Sequence, residues 1–325
     1  MTAMRKIAIL TGTLLLLTSC FKDIHELSAL RHYNDGGEGE GGSGGGSGSG
    51  SKVEALLGTS LNWEIPDDAG TVIHSLTISV GGTNTPFTKA YKDAREASAE
   101  LIPVAAGRND ILATVNMTDA DGFIISGLPA TKADAAVGDV VVSLKDPVSS
   151  PAQSWFAVTD TDIKKGEITR VEPVLQRLMP SITLDLANVP AGTNVVLTLS
   201  NVAKCVNITA KDSNGRWGLP SDDSEKDLQI ADLTATSNGP LKLENFTLFP
   251  TASAFTRCML TIDVTAASGN KTQCVCDAPH IESGKAYTLE LDYNTLRPYM
   301  YLDSYSINPW EDGWTVNGEI LNPVE

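Results

Sequence analysis

The sequence predicts an all-β protein with two tandem β-sandwich domains, placed after an apolar N-terminal segment and a flexible Gly/Ser tether. Apolar and polar residues alternate most clearly from Val72 to Val80, and this run ends at Gly81 and Gly82. Similar short runs recur along the chain, separated by Asp/Asn-Gly turns such as residues 119–122 and 212–215. Many short strands with turn signals between them are typical of sandwiches and barrels.

Residues 1–19 have the features of a secretory signal peptide. Arg5 and Lys6 precede the apolar run Ile7–Leu17, which is too short to span a bilayer. Ser19 and Cys20 then resemble the lipobox of bacterial lipoproteins, which predicts acylation of Cys20, with palmitate among the acyl chains, and no other cofactor. The alternative is an ordinary secretory peptide followed by an incidental cysteine.

Residues 20–51 form the predicted tether. From Gly36 to Ser51 the chain is almost entirely Gly, Ser and Glu. Such a segment has no apolar groups to offset the entropy of ordering, so we expect a flexible coil with a root-mean-square span of about 20 Å.

The rest of the chain divides into two predicted β-sandwiches, residues 52–175 and 176–325. Pro173 and Pro180 interrupt the alternation between them, and a new strand follows. Each half is expected to fold on its own. Besides the run at residues 72–80, the predicted strands lie at residues 56–64, 98–103, 110–116, 139–144, 154–158, 168–174, 180–186, 194–199, 205–210, 241–249, 258–264, 272–276 and 286–291. Short helices are predicted at residues 88–100 and 221–233.

The charge and composition of the chain limit which kinds of molecule it can bind. The formal net charge is −16 and 42% of the residues are hydrophobic. The chain can therefore bury a core, and its acidity argues against nucleic acid or anionic lipid headgroups as partners.

The sequence contains no recognisable catalytic motif. It has no G-x-S-x-G, no P-loop and no H-E-x-x-H, and its four histidines are not at metal-ligand spacing with a cysteine pair. We therefore predict no catalytic residues, no metal site and no enzyme activity.

Four cysteines remain in the second half once Cys20 is acylated. They are Cys205, Cys258, Cys274 and Cys276, and they are candidates for disulfides in an oxidising compartment. Cys274 with Cys276 is the least favoured of the pairs, because their side chains stand side by side on one strand. A bridge from Cys258 across a hairpin to residues 272–276 is one option. A four-cysteine zinc site and unpaired buried thiols are the alternatives.

The C-terminal segment has an unusual density of aromatic residues. Trp310 and Trp314 are separated by an even number of residues, so one uninterrupted strand would place them on the same face. We predict that these tryptophans, with Val316, pack in the core or contact a neighbouring subunit. A platform for stacking on sugars is the alternative.

Several segments, in order, resemble the fimbrillin-related surface lipoproteins of Bacteroidetes. They are Val104–Asn116, Gln176–Leu178, Ile182–Leu186, Leu199–Val202 and the terminal tryptophan segment Ile307–Trp314. The resemblance implies two transthyretin-like, Greek-key sandwiches and a place at the outer membrane surface or in a fimbria. The anchor subunits of type V pili are the most similar members.

Within this resemblance, an anchor, accessory or tip subunit is favoured over a stalk subunit. Stalk subunits of the family lose an N-terminal strand when a protease cuts after an arginine. Arg31 is the sole arginine between Cys20 and Arg95, and it precedes the glycine tether, so a cut there removes no predicted strand. The implied partners are the outer membrane, through lipid, and other fimbrillin-like subunits, reached by strand addition from Pro298–Glu325. A glycan-binding lipoprotein, facing a host or glycan surface, and a processed stalk subunit are the alternatives.

Overall fold

A computed structural model describes most of the chain after the tether. The described residues are 54–82, 87–129, 139–225, 227–253, 258–296, 299–305 and 315–319. The predicted signal peptide, Cys20, the tether, Trp310 and Trp314 lie outside them.

The described chain consists almost entirely of β-strands. In the first part these are β1 (Ala55–Thr59), β2 (Asn62–Trp63), β3 (Leu76–Gly82), β4 (Phe87–Tyr91), β5 (Leu101–Val104), β6 (Gly107–Val115), β7 (Phe123–Ser126), β8 (Val141–Leu144), β9 (Trp155–Ile163), β10 (Ile168–Val171) and β11 (Val174–Arg177). In the second part they are β12 (Ser181–Val189), β13 (Asn194–Leu199), β14 (Val202–Ala203), β15 (Cys205–Lys211), β16 (Trp217–Pro220), β17 (Ser224–Glu225), β18 (Leu228–Thr234), β19 (Gly239–Thr247), β20 (Cys258–Thr265), β21 (Lys271–Ala278), β22 (Ala286–Asp292), β23 (Tyr299–Tyr305) and β24 (Thr315–Glu319). The predicted all-β class is confirmed, whereas the tandem arrangement of two sandwiches stays a prediction.

The helices are few and short. The helix α1 (Ala94–Ala99) begins where the Asp93 side chain accepts a hydrogen bond of 2.8 Å from the Glu96 amide. Single turns of 3-10 helix lie at Pro66–Gly70, Asp119–Asp121 and Tyr293–Thr295. The helix predicted at residues 88–100 is thus correct only in its second half, and the one predicted at 221–233 is wrong, since β17 and β18 lie there.

Strand β1 is the middle strand of a three-stranded sheet. It pairs in parallel with β10, from Leu56 opposite Ile168 to Thr59 opposite Val171, and antiparallel with β5 on its other side. All five of its residues are buried. A strand buried on both faces reads as a continuous apolar run, which explains why this segment lacks alternation.

A six-stranded sheet, in the order β2-β11-β9-β6-β3-β4, packs on both of its faces. Ala113 of β6 and Ala157 of β9 belong to a core under β1 and β5. Leu112 and Phe156, which point to the opposite face, join the larger core of the second half of the chain.

The second half is built on a nine-stranded sheet in the order β18-β13-β20-β21-β23-β24-β22-β12-β19. Alternation is clear here: β13 buries Val195, Leu197 and Leu199 and turns Val196 and Thr198 toward the less buried face. This is the period of two that the sequence predicted at residues 194–199.

A four-stranded sheet, β16-β15-β8-β7, combines strands from both halves of the sequence. Val142 of β8 stands opposite Val206 of β15. The turn at residues 212–215 joins β15 to β16 as predicted, with Gly215 at φ 80°. The predicted boundary between residues 175 and 176 falls inside β11, and it stays a prediction.

A buried polar cluster links the 3-10 turn Pro66–Gly70 to strands β9 and β11. The Asp68 carboxylate is 3% exposed and accepts hydrogen bonds of 2.8 Å from both Trp155 Nε1 and Arg177 Nε. Trp155 and Arg177 are directly opposite each other in the β9–β11 ladder. One carboxylate thus ties together both members of a cross-strand pair and the 3-10 turn that carries Asp68.

Candidate functional site

The C-terminal strands occupy the middle of the nine-stranded sheet. We define the C-terminal seam as the facing edges of β21 and β22 together with β23 and β24, which lie between them. Strand β23 runs parallel to β21, strand β24 runs parallel to β22, and the two are antiparallel to each other. The last two described strands therefore join two sheet segments that would otherwise end at β21 and β22.

The described ladders along this seam are short. The β21–β23 ladder runs over Val275 and Cys276, and the β22–β24 ladder over Thr288 and Leu289. On its other side β22 pairs with β12 along its whole length, from Ala286 to Asp292. Among the described residues, β22 is thus paired with β12 from Ala286 to Asp292 on one side and with β24 at Thr288 and Leu289 on the other.

Val316, predicted as a contact to a partner, lies in β24. Its backbone is opposite Leu289 of β22 and opposite Tyr305 of β23. The position is therefore an internal one in the sheet, and the residue has neighbours of the same chain on both sides. The aromatic residues of this segment predict a contact region in the sequence. No sequence pattern predicts that the segment lies between the edges of β21 and β22.

The four candidate disulfide cysteines are all present as thiols in the structure. Strands β20 and β21 form the predicted hairpin, but its register places Cys258 opposite Ala278, while Cys276 is opposite Leu260 and Cys274 opposite Ile262. Cys258 and Cys276 are thus diagonal neighbours, with about 7–8 Å expected between such positions, at or beyond the upper limit for a disulfide.

Burial changes the acidity of two of these thiols. Loss of solvation raises the pKa of Cys258 to about 11, and burial, with smaller effects from Cys274 and Asp277, raises that of Cys276 to about 12. Both thiols therefore remain protonated and unreactive at neutral pH, as structural cysteines do.

We expect the stability of the protein to fall as the pH rises above about 9, because these thiols ionise more easily in the unfolded chain than in the folded one. Each thiol should lower the free energy of unfolding by about 1.4 kcal/mol per pH unit between its unfolded and its folded pKa. Urea unfolding at pH 8, 9 and 10 measures this slope. The double variant Cys258→Ala with Cys276→Ala should have a flatter profile, and equal slopes for both proteins would contradict the assignment.

The described residues contain neither a membrane-spanning helix nor a cluster of metal ligands. No helix there is both long enough and apolar enough to cross a bilayer. No three His, Cys, Asp or Glu side chains among those residues converge as ligands for a metal ion.

The chain is similar to known proteins in structure and not in sequence. No family model matches the sequence, and no curated protein is similar to it in sequence. Among solved structures, a candidate adhesin from Bacteroides ovatus matches over 86% of this chain and 100% of its own, with 12% identity and a TM-score of 0.50. The chain shares the fold of this protein.

Other solved structures align over similar lengths. A candidate polysaccharide-binding protein from Bacteroides thetaiotaomicron covers 84% of this chain and 99% of its own, with 10% identity and a TM-score of 0.49. The fimbrial anchor protein Mfa2 from Porphyromonas gingivalis covers 81% of this chain and 95% of its own, with 11% identity and a TM-score of 0.48. The structural neighbours of the chain thus include a candidate adhesin, a candidate polysaccharide-binding protein and a fimbrial anchor protein, all from Bacteroidetes.

Proposed function

We propose that this chain is a non-enzymatic surface lipoprotein that serves as an anchor or accessory subunit of a fimbria. In this proposal lipid on Cys20 holds it to the outer membrane, and the C-terminal seam contacts neighbouring fimbrial subunits. The observation that carries the proposal is the position of β24, a terminal strand inserted between β22 and β23 and paired with both.

The arrangement of the C-terminal seam is suited to strand exchange, in which a strand of one subunit pairs with the sheet of another. Added strands bind through main-chain hydrogen bonds, so a terminal strand that pairs within its own chain can pair in the same way with the sheet of a neighbour. Within the described residues, β23 pairs with β21 at Val275 and Cys276 and β24 pairs with β22 at Thr288 and Leu289, so an exchange of β23 and β24 would break these contacts. The longer ladders elsewhere, such as that between β20 and β21, keep the rest of the sheet intact meanwhile.

The N-terminal side of the fold favours the anchor over a processed stalk subunit. A cut after Arg31 would leave β1 in place, since that strand begins at Ala55. Strand β1 is buried and paired on both sides, so no groove opens there when the tether is lost. The shared fold with a candidate adhesin of B. ovatus supports a role at the cell surface.

The test is affinity capture of fimbrial subunits from a surface extract of the source bacterium, with the full chain as bait. Deletion of residues 315–325 should abolish the capture. Val316→Pro should reduce it at least tenfold, because proline removes a main-chain donor from a strand that is paired on both sides. Val316→Thr retains that donor and a β-branched side chain, so it serves as the matched control.

Mass spectrometry of the captured proteins gives the readout. Recovery of no fimbrial subunit by the intact chain, or equal recovery by all three variants, would contradict the proposal. Circular dichroism of each variant is measured first, so that loss of the strand contact is distinguished from loss of the fold.

A further inference from the structure

One face of the ladder between β6 and β9 is apolar in one part and charged in another. Leu112 of β6 and Phe156 of β9 lie on this face and belong to the larger core. Further along the ladder, the same face carries Asp110 on β6 and Asp160 on β9. The face thus changes from apolar to acidic along the two strands.

Asp110 and Asp160 are directly opposite each other in this ladder. Residues opposite each other in an antiparallel pair have Cβ atoms about 4.5–5.5 Å apart, so the two carboxyl groups are close enough to interact. Like charges in such a pair destabilise the sheet. At neutral pH the two carboxylates therefore oppose the pairing of the strands that carry them.

A single arginine contacts both carboxylates. Arg108 Nε lies 3.8 Å from Asp110 Oδ1, and Arg108 Nη2 lies 3.4 Å from Asp160 Oδ2. The Arg108 side chain is 74% exposed, so water screens both contacts. Arg108 is also directly opposite a third carboxylate, that of Asp162. The repulsion between Asp110 and Asp160 is therefore only partly compensated.

The other elements around Asp110 bring few charges to it. On the far side of β6, strand β3 places Gly81 opposite Asp110. A cleft of about 210 Å³ lies beside the carboxylate pair, and Thr209 of β15 and Trp217 of β16 also line it. Lys211 of β15 lies over the Trp217 ring, with Nζ 4.4 Å from the ring centre. The charges that act on Asp110 are thus mainly those of the arginine and the carboxylate described above.

Burial and this imbalance of charge raise the pKa of Asp110. Its side chain is 28% exposed, and loss of solvation is the largest cause of the rise. Arg108 lowers the pKa and the charge of Asp160 raises it, so the arginine does not offset burial and repulsion together. The folded chain therefore holds a proton at Asp110 more readily than the unfolded chain does.

We propose that Asp110 and Asp160 form a proton-operated pair, which makes the ladder between β6 and β9 stronger in mild acid than at neutral pH. At neutral pH both carboxylates are ionised and repel each other. In mild acid one proton from the solvent binds to Asp110, whose hydroxyl then donates a hydrogen bond to the Asp160 carboxylate. These two strands are the central pair of the six-stranded sheet, so the first half of the chain gains stability. This response is independent of the C-terminal seam.

Ionisation of Asp110 has a cost with a definite pH range. The carboxyl has its ordinary pKa of about 3.9 in the unfolded chain and a higher pKa in the folded one. The cost is absent below both values, and it grows as the pH rises from about 4 through the folded pKa. Asp110→Asn has a similar shape and cannot ionise, so this variant should not show the cost at any pH.

Urea unfolding of the full chain at pH 7, 6, 5 and 4 tests the pair. Asp110→Asn should raise the equilibrium constant for folding about twofold or more at pH 7, and the gain should shrink as the pH falls to 4. Asp162→Asn is the matched control: its carboxylate is directly opposite Arg108, so its loss should give no gain at pH 7. A loss of stability for Asp110→Asn at pH 7, a gain that does not change with pH, or equal gains for both variants would overturn the proposal.

NMR titration of the Asp110 side-chain carboxyl carbon gives a second readout, which does not depend on unfolding. It compares the unchanged chain with Asp160→Asn, a variant that should fold normally because Asp160 is 57% exposed. Without the opposite charge, and with Arg108 left to Asp110 alone, the Asp110 carboxyl should titrate at a lower pH. Titration at the same or a higher pH in the variant would mean that the two carboxylates do not act as a pair, and would overturn the proposal.

Discussion

Replacing Asp68 with alanine is expected to lower the free energy of unfolding by about 3–5 kcal/mol. The carboxylate is buried and bonds Arg177 and Trp155, which are 9% and 3% exposed. Without it the Arg177 guanidinium would remain buried and without its carboxylate partner, which is the costly outcome when half of a buried ion pair is removed. Urea denaturation of the full chain measures the loss.

The neighbouring carboxylate provides the control. Asp67 lies in the same 3-10 turn but is exposed, so Asp67→Ala should change the stability by no more than about 0.5 kcal/mol. The double variant Asp68→Leu with Arg177→Met removes both charges, and it should be more stable than Asp68→Ala alone. Similar losses for Asp67→Ala and Asp68→Ala would contradict this view of the cluster.

Gly218→Ala should destabilise the junction between the two halves by about 2–4 kcal/mol, from backbone strain and overpacking together. Gly218 has φ +96°, and a Cβ atom there would lie 3.0 Å from Phe156 Cζ. Phe156 is 1% exposed and belongs to the larger core, so its ring has little room to move.

Gly215 makes a matched control for this substitution. It lies in the same hairpin at φ +80°, and a Cβ atom there would meet no atom within 4 Å. Gly215→Ala should therefore show the backbone strain alone, about 1–2 kcal/mol. Urea midpoints of the two variants give the comparison, and an equal loss at both positions would mean that the Phe156 contact contributes nothing.

The alternation of apolar and polar residues is sufficient to predict the positions of strands that have one buried face. The runs at residues 194–199, 258–264 and 286–291 alternate, and strands lie there. Strand β4 is an edge strand, and its residues Thr88 to Ala90 are all exposed. Apolar and polar residues therefore do not alternate there, which is why the sequence predicts a helix at residues 88–100 instead of a strand. At residues 228–234 a bulge in the pairing of β18 with β13 disturbs the alternation.

The sequence does not show which residues contact each other across long distances in the chain. Asp68 and Arg177 are 109 residues apart, and neither has a neighbour in the chain that marks it as half of an ion pair. A cleft of about 250 Å³ is lined by residues of β11, of the hairpin of β15 and β16, and of the segment 280–283, and no local pattern encodes that these segments meet. The C-terminal aromatic residues pointed to a contact region, but its position inside the sheet follows only from the register of β24.

The burial of β1 has a mechanical consequence. Consider a force applied at Ala55 along the axis of β1. Strand β1 is paired on both flanks, with β10 and β5, so such a load shears both ladders at once instead of unzipping them one hydrogen bond at a time. Shear divides the force over many bonds in parallel. In the anchor role proposed above, tension that enters at the N-terminal side of β1 would thus be met by two ladders together.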